Sequence, residues 1–287
     1  MQEETINWIC RKAPSIGELE DTPENIWGTL EFNEFKKTFS NKPCIFFGLY
    51  SLSDFFAIWR YPEKKAILWA GTDITHFLNG YWLDEKGSIK ISPRPLATWI
   101  NKNCENYVEN EVEQATLLTI GIKSKVVPSF LGKTQDYKIS YEWSDKPKLY
   151  ISVSGNNFEQ YGWPKIYKLA RDYPDIEFHL YGNTVPFLVP ETDLFSNIII
   201  HGRIPKEQMN EEIKKMQGAL RLNEFDGFSE IIAKSLLWGQ WPISIISYPH
   251  TFSIEELGKI RLAHEPNFQG RQWLVDNVNK YPWNSKK

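Results

Sequence analysis

The sequence has few cysteines, and no two of them lie close together. Cys10, Cys44 and Cys104 are widely spaced, so no CxxC unit indicates a zinc site or a redox dithiol. None of the five histidines belongs to an HExxH or other metal-binding spacing. The sequence therefore predicts no metal centre and no disulfide framework. A reducing cytoplasm is the expected compartment.

Long apolar runs, excess positive charge and phosphate-loop signatures are also missing. No stretch approaches the roughly 18 consecutive apolar residues that a membrane span needs, and the N-terminus lacks the basic start of a secretory signal. We expect no membrane span, while peripheral membrane contact stays open. The net charge of −3 argues against nucleic-acid binding. Without a Walker A or GxGxxG pattern, ATP hydrolysis and dinucleotide redox chemistry are not expected.

What the chain does have is a globular composition and an alternation of strands with helices. Its 287 residues are 41% hydrophobic and 24% charged, enough for two ordinary domains or one large one. Short apolar runs such as KAILWAGTDI, KLYISVSG and GALRLN predict buried strands, each followed by a polar turn. Stretches with helical spacing separate them. This succession predicts an α/β fold with a mainly parallel sheet covered on both faces.

The polar stretch GKTQDYKISYEWSDKP suggests where the chain divides. We expect an N-terminal domain over 1–135, a linker over 136–147 and a C-terminal domain over 148–287. The last helix could pack back on the first domain. The polar N-terminal segment holds one candidate helix, 22–39, with a threonine cap and a proline in its first turn.

The turn after GALRLN has the residue types of an anion site. Gly227 permits close approach of another molecule to the backbone, and Ser229 could cap the following helix. Free amides and the helix dipole then favour a phosphate. Asp226 and Glu230 could accept hydrogen bonds from sugar hydroxyls, and Arg221 could pair with phosphate. The same residues also fit an ordinary strand-to-helix turn, which spacing alone does not exclude.

Three segments carry a resemblance to a known family. EFDGFSEIIAKSLLWGQWPI resembles the acidic-Gly-Phe-Gly turn and following helix of retaining glycosyltransferases with the GT-B fold, the group 1 or GT4-like type. HGRIPKEQMNEEIKKM is similar to the helix that leads into that family's donor site, and CENYVENEVEQATLLTIGIKSKVVPSFLG looks like the end of its first domain. The resemblance covers most of residues 100–245.

The resemblance implies two Rossmann-like domains, with a UDP- or GDP-sugar donor held mainly by the second. The acceptor, a sugar, a lipid-linked molecule or a protein, would be held mainly by the first. Transfer would retain the anomeric configuration and need no metal or other cofactor. The implied donor-site residues are Asp226, Gly227, Phe228 and Ser229 at the turn and Ser154, Gly155, Asn156 and Asn157 after the first strand of the second domain. By their own position and chemistry, Arg203, Arg221, Asn223 and Lys234 are further donor-binding candidates, and Gly48, Ser51, Thr72 and His76 are acceptor-side candidates. The candidate catalytic carboxylates are Asp73, Asp226 and Glu230.

The sequence also departs from the family pattern. Lys234 stands where the family has its second motif Glu, and SGNNFEQYGW lacks the family's basic residues after the first strand of the second domain. Arg203, Arg221 and Lys234 could supply cations for a diphosphate leaving group instead. Two other functions therefore stay open: a sugar-nucleotide-binding protein without catalysis, and a sugar-nucleotide epimerase. The scarcity of suitably placed acid and base pairs counts against the epimerase.

Overall fold

The computed structural model describes residues 8–13, 27–28, 41–84, 87–153, 161–182 and 195–281. By its internal contacts the chain divides into two compact units. Unit 1 comprises Met1–Ser129 and Asn279–Lys287, and unit 2 comprises Phe130–Val278. The division falls a few residues before the expected linker, 136–147, which lies inside unit 2. Within the described residues, no helix is long and apolar enough to cross a membrane.

Unit 1 is built around a parallel sheet with the strand order β2-β1-β3-β4-β7-β8, and a separate antiparallel hairpin joins β5 to β6. The helices follow strands in the alternation that the apolar runs predict. The elements are β1 (Ile9–Lys12), β2 (Trp27–Gly28), β3 (Cys44–Phe47), α1 (Leu52–Arg60), β4 (Lys65–Leu68), α2 (Thr72–Asn79), β5 (Tyr81–Asp84), β6 (Gly87–Lys90), α3 (Pro93–Asn103), β7 (Glu105–Val108), α4 (Glu111–Leu118) and β8 (Lys125–Val126).

The helix predicted over 22–39 is wrong at Trp27–Gly28, which form the short strand β2 beside β1. Pairing with a neighbouring strand outweighs the local helical signal there, because the sheet satisfies backbone groups that only the tertiary structure can reach. The rest of 22–39 lies outside the described residues. The core on one face of this sheet includes Cys10, Ile45 and Ala66.

Unit 2 has a second sheet, with the order β11-β10-β9-β12-β13 and every pairing parallel. One apolar core contains Leu149, Phe178 and Ile166, and another contains Tyr150, Ile232 and Leu274, so both faces are covered as predicted. The elements are β9 (Lys148–Val153), α5 (Trp163–Asp172), β10 (Glu177–Gly182), β11 (Ile198–Gly202), α6 (Lys206–Ile213), β12 (Gly218–Arg221), α7 (Glu230–Leu237), β13 (Ile243–Ser244) and α8 (Phe268–Asn277).

The segment expected to be a linker packs on unit 2 through aromatic rings and backbone bonds. The Tyr137 ring lies 5.4 Å from that of Trp238, and the amides of Ser140 and Tyr141 both donate to the Trp238 carbonyl. The last described helix, α8, packs against α7 within unit 2, and the chain joins unit 1 only from Asn279 onward.

Candidate functional site

The turn between β12 and α7 lies at the carboxyl end of the unit 2 sheet, as the sequence predicts. Phe228 is buried there, with its ring 5.1 Å from that of Tyr248. The Tyr248 hydroxyl donates to the Gly227 carbonyl. Gly227 is buried and is not among the described glycines with positive φ. Phe228 and Tyr248 therefore anchor the turn on the core of unit 2. Tyr248 was not among the residues predicted from the sequence.

Helix α7 begins without a side-chain cap. Ser229 occupies the N-cap position, but its side chain makes no capping hydrogen bond. The amides of Glu230 and Ile231 donate to no acceptor among the described residues. By contrast, Ser51 caps α1 through a full capping box with Asp54. The start of α7 therefore offers unpaired amides and the positive end of a helix dipole, which suit an anion.

Arg221 and Asp226 form an ion pair across this turn. The Arg221 Nε and Nη2 atoms lie 2.7 and 2.6 Å from Asp226 Oδ2, and the Gly227 amide donates to Asp226 Oδ1 at 3.1 Å. The Arg221 guanidinium stacks over the Tyr161 ring with its Cζ 4.6 Å from the ring centroid. The two predicted residues thus neutralise each other and stiffen the turn. Tyr161, before α5, was not foreseen from the sequence.

A second ion pair lies one helical turn into α7. The Lys234 Nζ is 3.5 Å from Glu230 Oε1 and 3.3 Å from Asn210 Oδ1 of α6. Lys234 is buried, and this burial lowers the pKa of its ammonium, while Glu230 acts in the opposite direction. Arg203 is exposed, directly after β11. The lysine that replaces the family's carboxylate therefore joins α6 to α7.

Two buried polar side chains near the turn have no hydrogen-bond partner for one of their atoms. They are Asn223 Oδ1 and Ser244 Oγ. Asn223 is 3% exposed and follows β12, and Ser244 is 1% exposed and ends β13. Leaving such groups unpaired costs about 1–3 kcal/mol each. Ser244 pairs with Arg221 in the β12–β13 register and is a candidate site residue that sequence reasoning missed.

In unit 1, the candidate catalytic residue Asp73 is held by backbone groups. It is 0% exposed, its Oδ2 accepts from the Leu49 amide at 2.9 Å, and its Oδ1 accepts from the Ala70 amide at 3.0 Å. Burial raises the pKa of Asp73 to about 7, and the hydrogen bonds from backbone amides oppose this rise. Asp73 therefore ties together the chain segments that follow β3 and β4.

Buried carboxylates repeat this arrangement elsewhere in unit 1. Asp54 in the first turn of α1 accepts from the amides of Tyr50 and Ser51, at 3.2 and 3.0 Å. Glu113 in the first turn of α4 accepts from the amide of Glu109 at 2.8 Å. Each carboxylate fastens the end of a strand to the start of the helix that follows it.

The remaining acceptor-side candidates lie near the same carboxyl ends. Gly48 follows β3 with a φ of 83°. Thr72 Oγ1 is 3.3 Å from the Tyr50 hydroxyl, and the Tyr50 ring is 6.2 Å from that of His76. The His76 Nδ1 is buried without a partner. Tyr50 is therefore an additional candidate that the sequence analysis overlooked.

The structure thus gathers most of the predicted residues at two places, one in each unit. Arg221, Asn223, Asp226 to Glu230 and Lys234 lie at the turn of unit 2, and the acceptor-side set lies in unit 1. Ser154, Gly155, Asn156 and Asn157 are outside the described residues. Within the described residues, no group of three or more His, Cys, Asp or Glu side chains could hold a metal ion.

No protein-family model matches the chain, and no curated protein matches its sequence. Solved structures do match. TarM, also solved as the S. aureus protein with fondaparinux, α-GlcNAc-glycerol and UDP, aligns with a TM-score of 0.60 at 12% identity. The alignment covers 88% of this chain and 55% of TarM, so the chain spans about half the length of TarM.

Two further structures give the same picture. AviGT4, a glycosyltransferase involved in avilamycin A biosynthesis, aligns with a TM-score of 0.54 at 10% identity over 90% of this chain and 76% of its own. Anabaena HepE in complex with UDP and glucose aligns with a TM-score of 0.51 at 11% identity, over 86% and 74%. These matches show that the chain has the α/β fold with two parallel sheets found in GT-B glycosyltransferases.

Proposed function

We propose that this chain is a metal-independent glycosyltransferase that moves a sugar from a nucleotide-diphospho-sugar to an acceptor, with retention of configuration. The observation that carries the proposal is the uncapped start of α7 at the carboxyl end of β12. Ligands of α/β sheets bind at such ends, and the free amides suit a diphosphate. UDP, present in the TarM and HepE structures, is the first nucleotide to test.

In this proposal the turn stabilises the charge that develops on the leaving diphosphate. Backbone amides and a helix dipole are fixed before the reaction, so they need no reorganisation when the glycosidic bond breaks. The Arg221–Asp226 pair holds the turn in place. The Glu230 side chain, 42% exposed, accepts hydrogen bonds from donor hydroxyls. Asp73 holds the acceptor-side loops of unit 1 in place through Leu49 and Ala70.

A pair of substitutions at Glu230 tests the amide directly. Proline is tolerated at the first helical position, and Ser229 already has the extended backbone that precedes proline, with φ −62° and ψ 128°. Glu230→Pro therefore removes the amide N–H while sparing the helix, and Glu230→Ala removes the same side chain but keeps the N–H. A hydrogen bond to a charged group contributes about 1.5–3 kcal/mol, so Glu230→Pro should bind UDP about 10- to 100-fold more weakly than Glu230→Ala.

Calorimetry with UDP and with uridine separates the phosphate from the base. We expect uridine, which lacks the diphosphate, to bind both variants equally. Equal UDP affinity in the two variants would show that this amide does not hold the diphosphate. A panel of UDP-, GDP-, ADP- and CMP-sugars, followed by a hydrolysis and transfer assay, then identifies the donor and tests turnover.

A second function, sugar-nucleotide binding without catalysis, is favoured by one observation. Lys234 replaces the second carboxylate of the family motif. Its ammonium pairs with Glu230 and donates to Asn210 within the protein. A binding protein would gain thermal stability with a sugar nucleotide and yet neither hydrolyse nor transfer it. Turnover of any donor in the panel would exclude this alternative.

A further inference from the structure

A row of ionisable side chains links the edge strand β11 to helix α6 in unit 2. Glu177, His179 and Tyr181 alternate along β10, so they share one face of the sheet. His201 lies beside them on β11, and Glu212 faces them from α6. None of these side chains belongs to the candidate donor site.

The side chains are in contact from one end of the row to the other. His179 Nε2 is 3.2 Å from Glu177 Oε2, His179 Nδ1 is 2.8 Å from His201 Nε2, and His201 Nδ1 is 3.5 Å from Glu212 Oε2. The Tyr181 hydroxyl donates to the same Glu212 oxygen at 2.9 Å. The His201 ring also stacks on Tyr181, with the ring centroids 4.3 Å apart.

The contacts of the row determine how many protons the two imidazoles carry. A hydrogen lies in two of the contacts, between Glu177 and His179 and between the two imidazoles. The third contact, between His201 and Glu212 at 3.5 Å, is attractive only when His201 Nδ1 also carries a hydrogen. Two neutral imidazoles carry only one N–H each. With two protons, one carboxylate therefore faces a ring nitrogen lone pair and is repelled. With three protons, one imidazole is an imidazolium and every contact is favourable.

We propose that His179 and His201 together hold three protons between Glu177 and Glu212, and that loss of the third proton breaks the contact of His201 with Glu212, so that this row is a proton-dependent clasp between β11 and α6. The other groups that face the row are Lys148, which is 3.7 Å from Glu177, and Gln208, which donates to Glu212 at 3.0 Å. The clasp is closed at acid pH and opens as the pH rises.

The surroundings of the two histidines differ. Burial lowers the pKa of His179, which therefore stays neutral, donates from Nε2 to Glu177 and accepts from His201 at Nδ1. Hydrogen bonds from Gln208 and Tyr181 lower the pKa of Glu212 and keep it a carboxylate. His201 then donates from both ring nitrogens, and Tyr181 presents its aromatic face to the charged ring.

The clasp bears on the candidate donor site through α6. Asn210, one helical half-turn before Glu212, accepts from Lys234 of α7. If the contact between His201 and Glu212 breaks, the position of α6 can change, and the Asn210–Lys234 hydrogen bond would pass this change to α7. The start of α7 is the proposed diphosphate site. The existence of the clasp does not depend on the proposed function, but its effect on donor binding does.

Nitrogen-15 NMR of the histidine rings tests the clasp without any ligand. We expect His179 to be the neutral Nε2–H tautomer at acid pH, with both ring nitrogens of His201 protonated. An Nδ1–H tautomer of His179 at low pH, or two histidines that titrate independently, would overturn the proposal.

Charge removal on α6 supplies the matched comparison. Glu212→Gln removes the carboxylate next to His201, whereas Glu211→Gln removes a neighbouring charge that pairs with Lys214. We expect the doubly protonated form of His201 to be less populated in Glu212→Gln than in the wild type at the same pH, and to be unchanged in Glu211→Gln. Equal titration curves in both variants would refute the clasp.

Hydrogen exchange and UDP binding then separate the clasp from the proposed function. After correction for intrinsic rates, α6 should exchange more slowly at pH 6 than at pH 8 in the wild type, and this difference should vanish in Glu212→Gln. Equal protection at both pH values in the wild type would overturn the clasp. If the exchange difference is present but UDP does not bind at either pH, the clasp stands and the proposed function fails.

Discussion

Replacing Asp73 by Asn tests whether this buried carboxylate holds unit 1 together. Each of its oxygens accepts one amide, from Leu49 at 2.9 Å and from Ala70 at 3.0 Å. Asn offers one oxygen and one NH2 group, so one of the two amides would face another donor in a fully buried place. An unsatisfied buried donor costs about 1–3 kcal/mol, and we expect Asp73→Asn to destabilise unit 1 by that amount at acid pH, where the wild-type carboxyl is uncharged as well but both of its oxygens can still accept.

The pH dependence provides a second, independent signature. Burial raises the pKa of Asp73 from 3.8 to about 7, so the unfolded chain loses this proton at lower pH than the folded chain. The stabilisation linked to this group is therefore full below about pH 4, falls by up to about 1.4 kcal/mol per pH unit as the pH rises, and is gone above about pH 7. Asp73→Asn should flatten that slope.

Hydrogen exchange measured by mass spectrometry is the suitable assay, because it reports the two units separately. Peptides from β3 to α2 should lose protection in Asp73→Asn, while peptides from β9 to β13 serve as an internal control. Unchanged protection and an unchanged pH slope would refute the structural role. If protection is unchanged but turnover of a donor is lost, Asp73 acts on the acceptor instead.

Four further substitutions test the packing and the caps by urea unfolding. Ser51→Ala should lower the free energy of unfolding by about 1 kcal/mol because it removes a capping box. Ser229→Ala should change it by less than about 0.5 kcal/mol because the Ser229 hydroxyl caps nothing. Equal losses in the two variants would contradict this contrast. Gly162→Ala should cost about 1–3 kcal/mol, since Gly162 has a φ of 78° and a Cβ there would lie 2.4 Å from Leu222 Cβ; wild-type stability would count against this. Lys234→Met should change the unfolding free energy by no more than about 1 kcal/mol, because burial already disfavours the ammonium and its partner Glu230 is 42% exposed and stays hydrated. A loss of about 3 kcal/mol or more would show that the pairing of Lys234 with Glu230 and Asn210 is essential.

The alternation of strands and helices could be predicted because its signals are local. The apolar composition of runs such as KAIL and KLYISV indicates buried strands, and the polar residues after them mark the turns. The two-residue strand β2 could not be predicted in the same way, because it exists only through pairing with β1. The unit boundary was also hidden: polar residues surround Tyr137 and Tyr141, whose rings are what fasten that segment to unit 2.

The candidate site shows the same limit. The turn at Gly227 was identified from residue types, yet its support comes from Tyr161 and Tyr248, which are distant in sequence and carry no motif. The ion pair of Lys234 with Glu230 has the spacing of helical neighbours and was within reach of the sequence. The contact of Lys234 with Asn210 was not, since it depends on how α6 lies against α7.

The buried carboxylates of unit 1 have a consequence for what each unit can host. At the starts of α1, α2 and α4 the protein supplies its own negative groups, Asp54, Asp73 and Glu113, to backbone amides. A phosphate arriving there would meet carboxyl groups and amides already in use. At the start of α7, by contrast, no side chain of the described residues caps the helix, and the amides of Glu230 and Ile231 are left for a ligand. If the proposed function holds, the two units discriminate between guests by charge: hydroxyl-bearing neutral molecules suit the first, and phosphorylated ones suit the second.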